Sequence, residues 1–172
     1  MVREASVSSA AVTIAQLMIP ELQREAAMTR SLLERVPADK LDWSPGGDLR
    51  TIGWNAGHLA DIVGWVRGTL EHDELDFTDE SAAAWMGPTD DLAAILKRFD
   101  AHLADSLAAL EGVADDVMAE PWTMKMSGHP LFTMPKGDVL RKWVFTHQAH
   151  HRGILSTYLK MAGVKFSSIY EE

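Results

Sequence analysis

The sequence predicts an all-α fold, a single four-helix bundle over residues 1–172 with a loop covering one end. Three observations predict it. Four segments repeat apolar residues at three- to four-residue steps, the period that gives a helix one buried face. Alternating β-branched runs of the kind that build strands are scarce. No internal repeat, low-complexity tract or long linker divides the 172 residues, a length suited to one core.

The first helix is expected from about Ala10 to Val36, with Ile14, Leu17, Met18, Leu22, Leu32, Leu33 and Val36 on one broad face. Pro20 lies inside it and predicts a kink or early break, and Pro37 ends it. The second starts near Arg50–Ile52, after the turn-rich Ser44-Pro45-Gly46-Gly47-Asp48. Its stripe is Ile52, Leu59, Ile62/Val63, Val66 and Leu70. The third is the most regular. Thr89 or Asp90 can cap it, and Leu92, Ile95, Leu96, Phe99, Leu103, Leu107 and Leu110 follow before Gly112. The fourth runs from about Lys136 to Ala162, with Gly163 as its stop. The intervening stretch Glu120–Pro135 holds Trp122, Met124, Met126, Phe132, Met134 and three prolines. Its sidedness is not apparent, so it reads as the covering loop.

Composition narrows the chemistry. There is no cysteine, which excludes disulfides, iron–sulfur clusters, thiolate zinc sites and a cysteine nucleophile. A metal site must then use histidine and carboxylate ligands. A net charge of −9 without a compensating basic cluster argues against nucleic acid as a partner. No apolar run nears the ~20 residues that span a bilayer. The N-terminal stretch lacks a basic start and a small-residue cleavage site, so no membrane association and a cytoplasmic location are expected.

The seven histidines matter by position. On a 3.6-residue wheel, His147 and His151 straddle the apolar stripe of the fourth helix, while His150 lies at its edge toward solvent. Imidazoles four residues apart lie ~6 Å apart at Cβ and can share an ion. The competing reading is a pair of core histidines satisfied by hydrogen bonds, which leaves several polar nitrogens to satisfy in an apolar core. A third ligand must come from a facing helix. His58 and His102 are both available, and helical geometry does not choose between them. His72 and His129 read as surface residues, although His129 could reach a site mouth. Asp61 either supports His58 from one turn on or is exposed.

The segments Leu41-Asp42-Trp43-Ser44-Pro45, Thr51-Ile52 and Gly57-His58-Leu59-Ala60-Asp61, followed by His147-Gln148-Ala149-His150-His151-Arg152-Gly153, resemble the DinB-like (YfiT-like) superfamily of metal-binding four-helix-bundle proteins. The resemblance runs from about Ile14 to Tyr170, including Ala162-Gly163-Val164 and Ser168-Ile169-Tyr170. It implies a three-histidine site of His58, His147 and His151 with open positions, and so selects His58 over His102. Arg152 and Gly153 match the family's Arg-Gly. The chain departs from the family at Ile154, where a Gln is usual, and at Gln148, where a Glu is frequent.

The family includes transferases that use low-molecular-weight thiols, a thiol-dependent isomerase and many proteins called hydrolases. What this implies is an enzyme that uses one divalent ion, zinc or nickel first, to activate a small thiol for transfer to a small electrophile. His150, Arg152 and Asp61 are the weak candidates for proton or anion handling. Metal-dependent hydrolysis is the alternative, although Gln148 cannot serve as the base that a Glu at that position supplies in HExxH proteases. A non-catalytic stress-response module with a structural metal is a third. A homodimer is expected from the family and from the surplus of Trp and Met.

Overall fold

The computed structural model describes residues 11–79, 82 and 86–168. Helix α1 (Ile14–Leu33) opens with a capping box. The Thr13 hydroxyl accepts from the Gln16 amide at 3.2 Å, and the Gln16 side chain accepts from the Thr13 amide at 3.0 Å. The helix runs unbroken through Pro20 and buries Met18, Leu22, Ala26 and Leu33. It stops short of Val36, and Pro37 instead precedes a 3-10 turn, Ala38–Lys40. The expected start at Ala10 lies outside the described residues, as do Ile169 and Tyr170 of the resemblance.

Helix α2 (Ile52–Glu71) is capped by Thr51, whose side chain accepts from the Trp54 amide at 3.0 Å. It is buried on most of its circumference, as a central helix must be. Gly53 and Gly57 let another segment lie directly on it: a Cβ at Gly53 would fall 2.3 Å from the Thr89 carbonyl, and one at Gly57 would fall 2.7 Å from the Thr89 methyl. Helix α3 (Leu92–Leu110) follows. Its cap is Asp91, one or two residues later than Thr89 or Asp90, because the Asp91 carboxylate takes both the Ala93 and Ala94 amides.

The expectation of an all-α chain with a covering loop is corrected here. The chain is mostly helical, but a short helix α4 (Asp115–Ala119) leads into a three-stranded sheet. Strands β2 (Pro121–Met126) and β3 (His129–Pro135) form an antiparallel hairpin, and β1 (Glu74–Asp76) pairs parallel to β2, with Glu74 opposite Thr123. The physical cause is in the sequence. Trp122 and Met124 alternate with outward residues, and Ser127-Gly128 both take positive φ (51° and 77°), as two-residue hairpins require. The prolines lie at the strand ends or opposite a bulge near Met124/Lys125, where no inner ladder bond is lost.

The last helix has three consecutive segments: α5 (Lys136–Val139), a π-helical stretch Leu140–Thr146, and α6 (His147–Met161). The Thr146 hydroxyl donates to the Arg141 carbonyl five residues back, at 3.0 Å, which fits the wide turn. Gly163, at φ 86°, ends the helix. One core joins α1, α2, α3 and the last helix around Leu22, Leu33, Leu59, Val63, Phe99, Val144 and Leu155. A second, smaller core of Leu75, Trp122, Met124 and Val139 seats the sheet. No helix among the described residues is long and apolar enough to cross a membrane.

Candidate metal centre

His58 comes from the second turn of α2, and His147 and His151 come from the first turn and a half of α6. These two helices pack against each other, so the three rings converge. One ring nitrogen from each lies within 4.8 Å of the others. The His58 ring centroid is 4.5 Å from that of His151 and 5.1 Å from that of His147.

Asn55, one turn before His58 and buried, fixes the tautomer of His151. Its Nδ2 donates to the Thr51 carbonyl at 2.9 Å, so its Oδ1 is the atom that meets His151 Nδ1 at 3.2 Å. An amide oxygen only accepts, so Nδ1 carries the proton and His151 Nε2 keeps its lone pair. That lone pair faces His147 Nε2 at 3.0 Å. On His147, Nδ1 is buried without a well-formed hydrogen bond, although the nearby Trp143 carbonyl favours a proton there. Two Nε2 atoms at this separation match neighbouring ligands of one ion with bonds of about 2.0–2.1 Å. The three imidazoles can therefore hold a divalent ion.

Electrostatics agree. Burial, reinforced by the neighbouring rings, pushes His58 down to about 3 and His151 down to about 4, and burial also lowers His147. All three are neutral near pH 7, the form that binds metal. The burial is done by indoles. Trp54 stacks on His58 at 4.7 Å, Trp65 meets His58 and His147 at 5.5 and 5.6 Å, and Trp143 meets His147 edge-on at 5.8 Å.

The other candidates fall elsewhere. His102, on α3, packs against a different face of α2, where its Nδ1 donates to the Ala60 carbonyl at 2.9 Å. His72 and His129 are exposed. His150 is exposed, with its ring 5.0 Å from that of His151. Arg152 is buried and pairs with Glu25 of α1 at 2.6 Å. Gln148 is fully buried, and neither of its amide atoms has a hydrogen-bond partner. Of the three weak candidates, Asp61 is the one that lines the pocket beside the imidazoles. Burial raises its carboxyl to about 6 against the opposing pull of Arg98, whose Nε donates to Oδ1 at 2.8 Å.

His58 and His147 also line a pocket of about 550 Å³ between α2, the hairpin and the segment before α3. Trp54, Trp65, Trp143, Phe132 and Met124 are among the residues that line it. Sequence reasoning passed over Asn55 and Arg98. A polar residue in the buried run Ile52–Ala60 was the available signal for Asn55; Arg98 reaches the site only through tertiary packing.

The chain matches the family model of the DinB superfamily over residues 21–155. Its fold is similar to that of a crystal structure of a DinB-like protein from Bacillus cereus ATCC 10987. The TM-score is 0.67 at 19% identity, covering 92% of this chain and 99% of that one. No curated protein matches.

Proposed function

The chain belongs to the DinB superfamily, and on that premise we propose that it is a metal-dependent enzyme in which His58, His147 and His151 hold one divalent ion, zinc or nickel first. Its four long helices act as a four-helix bundle that carries the ligands on two facing members. The reading rests on one observation: two of the three imidazoles that would hold the ion line an apolar pocket, which offers space for a substrate beside them. A structural ion would have its fourth position closed by protein. Among the described residues, no fourth His or carboxylate joins the cluster.

When bound, such an ion supplies Lewis acidity, which lowers the pKa of a coordinated thiol or water and polarises a carbonyl. The residues hold it with neutral rings and leave its charge undiminished. Asn55 orients the His151 ring, and Trp54, Trp65 and Trp143 pack against the His58 and His147 rings and shield them from bulk water. Asp61 faces the pocket but already accepts from Arg98, and Gln148 is no base. A small thiol fits a site without a free base, because its pKa of about 8.5 needs a far smaller drop than that of water, about 15.7. Transfer of a small thiol to a small electrophile is therefore the activity the site supports best.

The test is a cobalt-substituted chain titrated with 2-mercaptoethanol, cysteine and glutathione. A sulfur-to-cobalt charge-transfer band is expected with at least one. A cobalt site that shows no such band with any of them would overturn the thiol reading in favour of hydrolysis. A chain that binds no cobalt would overturn the metal reading itself.

A further inference from the structure

We infer that the pocket beside the three imidazoles is built for an uncharged, flat aromatic group, held with its polar end toward His58 and His147. The orientation of the guest rests on the metal reading above; the character of the pocket does not.

Charge comes first. The one carboxylate or cation among the described lining residues is Asp61, and it is already paired. Its partner Arg98 is occupied as well, with Nη1 on the Pro88 carbonyl at 3.1 Å and Nη2 on the Gly57 carbonyl at 3.4 Å. With no ion bound, an ionic guest would therefore lose its water and find no free counter-charge among these lining side chains, which is costly in an apolar site. The side-chain lining by itself disfavours phosphorylated and carboxylate-rich molecules on this ground.

Shape and surface come next. Trp65 and Trp143 flank His147, and Phe132 lies parallel to Trp143 at 5.4 Å with an interplanar angle of 1°. Aromatic walls favour a ring that can stack or meet them edge-on over a floppy aliphatic chain. The mouth is apolar too: Phe77, Met86 and Leu131 line it while 37%, 53% and 55% exposed. Clustered exposed apolar side chains around a concave site mark a binding surface. The pocket volume of about 550 Å³ accommodates a fused two-ring system with room for a second reactant.

The His58 and His147 rings are neighbours in the lining, with centroids 5.1 Å apart. A guest with an aromatic body and one polar reactive atom therefore has a single favourable orientation, with that atom against His58 and His147.

Calorimetric titration of the full chain, chelator-treated and zinc-loaded, tests this with three probes: 2-naphthol, naphthalene-2-sulfonate and cyclohexanol. The treated chain should bind 2-naphthol at least about tenfold more tightly than either of the others. Leu131→Asp, at an exposed position that does not threaten the fold, should weaken 2-naphthol about tenfold, whereas Leu49→Asp, exposed away from the pocket, should not. Equal or tighter binding of the sulfonate, or an unchanged affinity in Leu131→Asp, would overturn the inference. A chain that binds 2-naphthol as expected but takes up no zinc supports this inference while removing the metal reading.

Discussion

Asn55 shows how one buried amide can decide the chemistry of a neighbouring ring. Its own orientation is set by the Thr51 carbonyl, so its oxygen can only receive the His151 Nδ1 proton. Asn55→Ala should weaken zinc affinity about 10- to 100-fold, as loss of a partner behind a ligand does elsewhere. Asn55→Asp, which keeps the acceptor, should recover part of that loss; competition with a chromophoric chelator measures both. The same approach separates neighbouring histidines. His151→Ala should sharply reduce bound metal, whereas exposed His150→Ala should largely retain it, and equal losses in elemental analysis would refute the ligand assignment. His147 and His151 were legible because both follow the π-helical stretch and share one regular wheel. His58 was not, because whether His58 or His102 meets them depends on how α2 and α3 rotate against α6, which no single-helix pattern contains.

At the level of elements, the hairpin forms one wall of the pocket and is tied down by Asp76 at the end of β1. The Asp76 carboxylate accepts from the Thr78 hydroxyl at 2.6 Å and amide at 2.9 Å, and from the Ser127 and Gly128 amides at 3.1 and 2.6 Å. These bonds, the Thr78 hydroxyl first, pull its pKa down to about 2. An unfolded aspartate titrates near 3.9, so between these values the open form binds more protons. The stabilisation is therefore complete above about pH 4 and lost as pH falls through about 2. Amide exchange of β2 and β3 should accelerate over that window, and Asp76→Ala should be fast already at neutral pH and lose the step. The sheet escaped the sequence reading because its strands are short and its prolines suggested a loop. Ser127-Gly128 between Met126 and Leu131 was the legible hairpin signal. The long helices were readable because each has an apolar stripe.

Across the whole molecule, the last helix joins two bodies: α5 rests on the sheet, and α6 rests on α1 and α2. Arg152 anchors the second of these, with Nη2 on Glu25 at 2.6 Å and Nη1 on the Thr29 hydroxyl at 3.2 Å. Arg152 is almost fully buried, whereas the Glu25 side chain is 25% exposed. Arg152→Ala should therefore cost about 2–4 kcal/mol in urea unfolding, toward the lower end of what breaking a fully buried pair costs. An Arg on the inner face looks like a functional group in sequence, and only the position of Glu25 on α1 shows its structural tie. Between the two bodies lies the π-helical stretch Leu140–Thr146, which carries one residue more than an α-turn would use. That surplus works as a phase adjuster. It sets the angle at which Trp143 and the hairpin meet His147 without altering the spacing of His147 and His151. Gaining or losing one residue there would rotate the aromatic wall by about 100° relative to the His147/His151 pair, so the contour of the pocket can change while the spacing of those two imidazoles is kept.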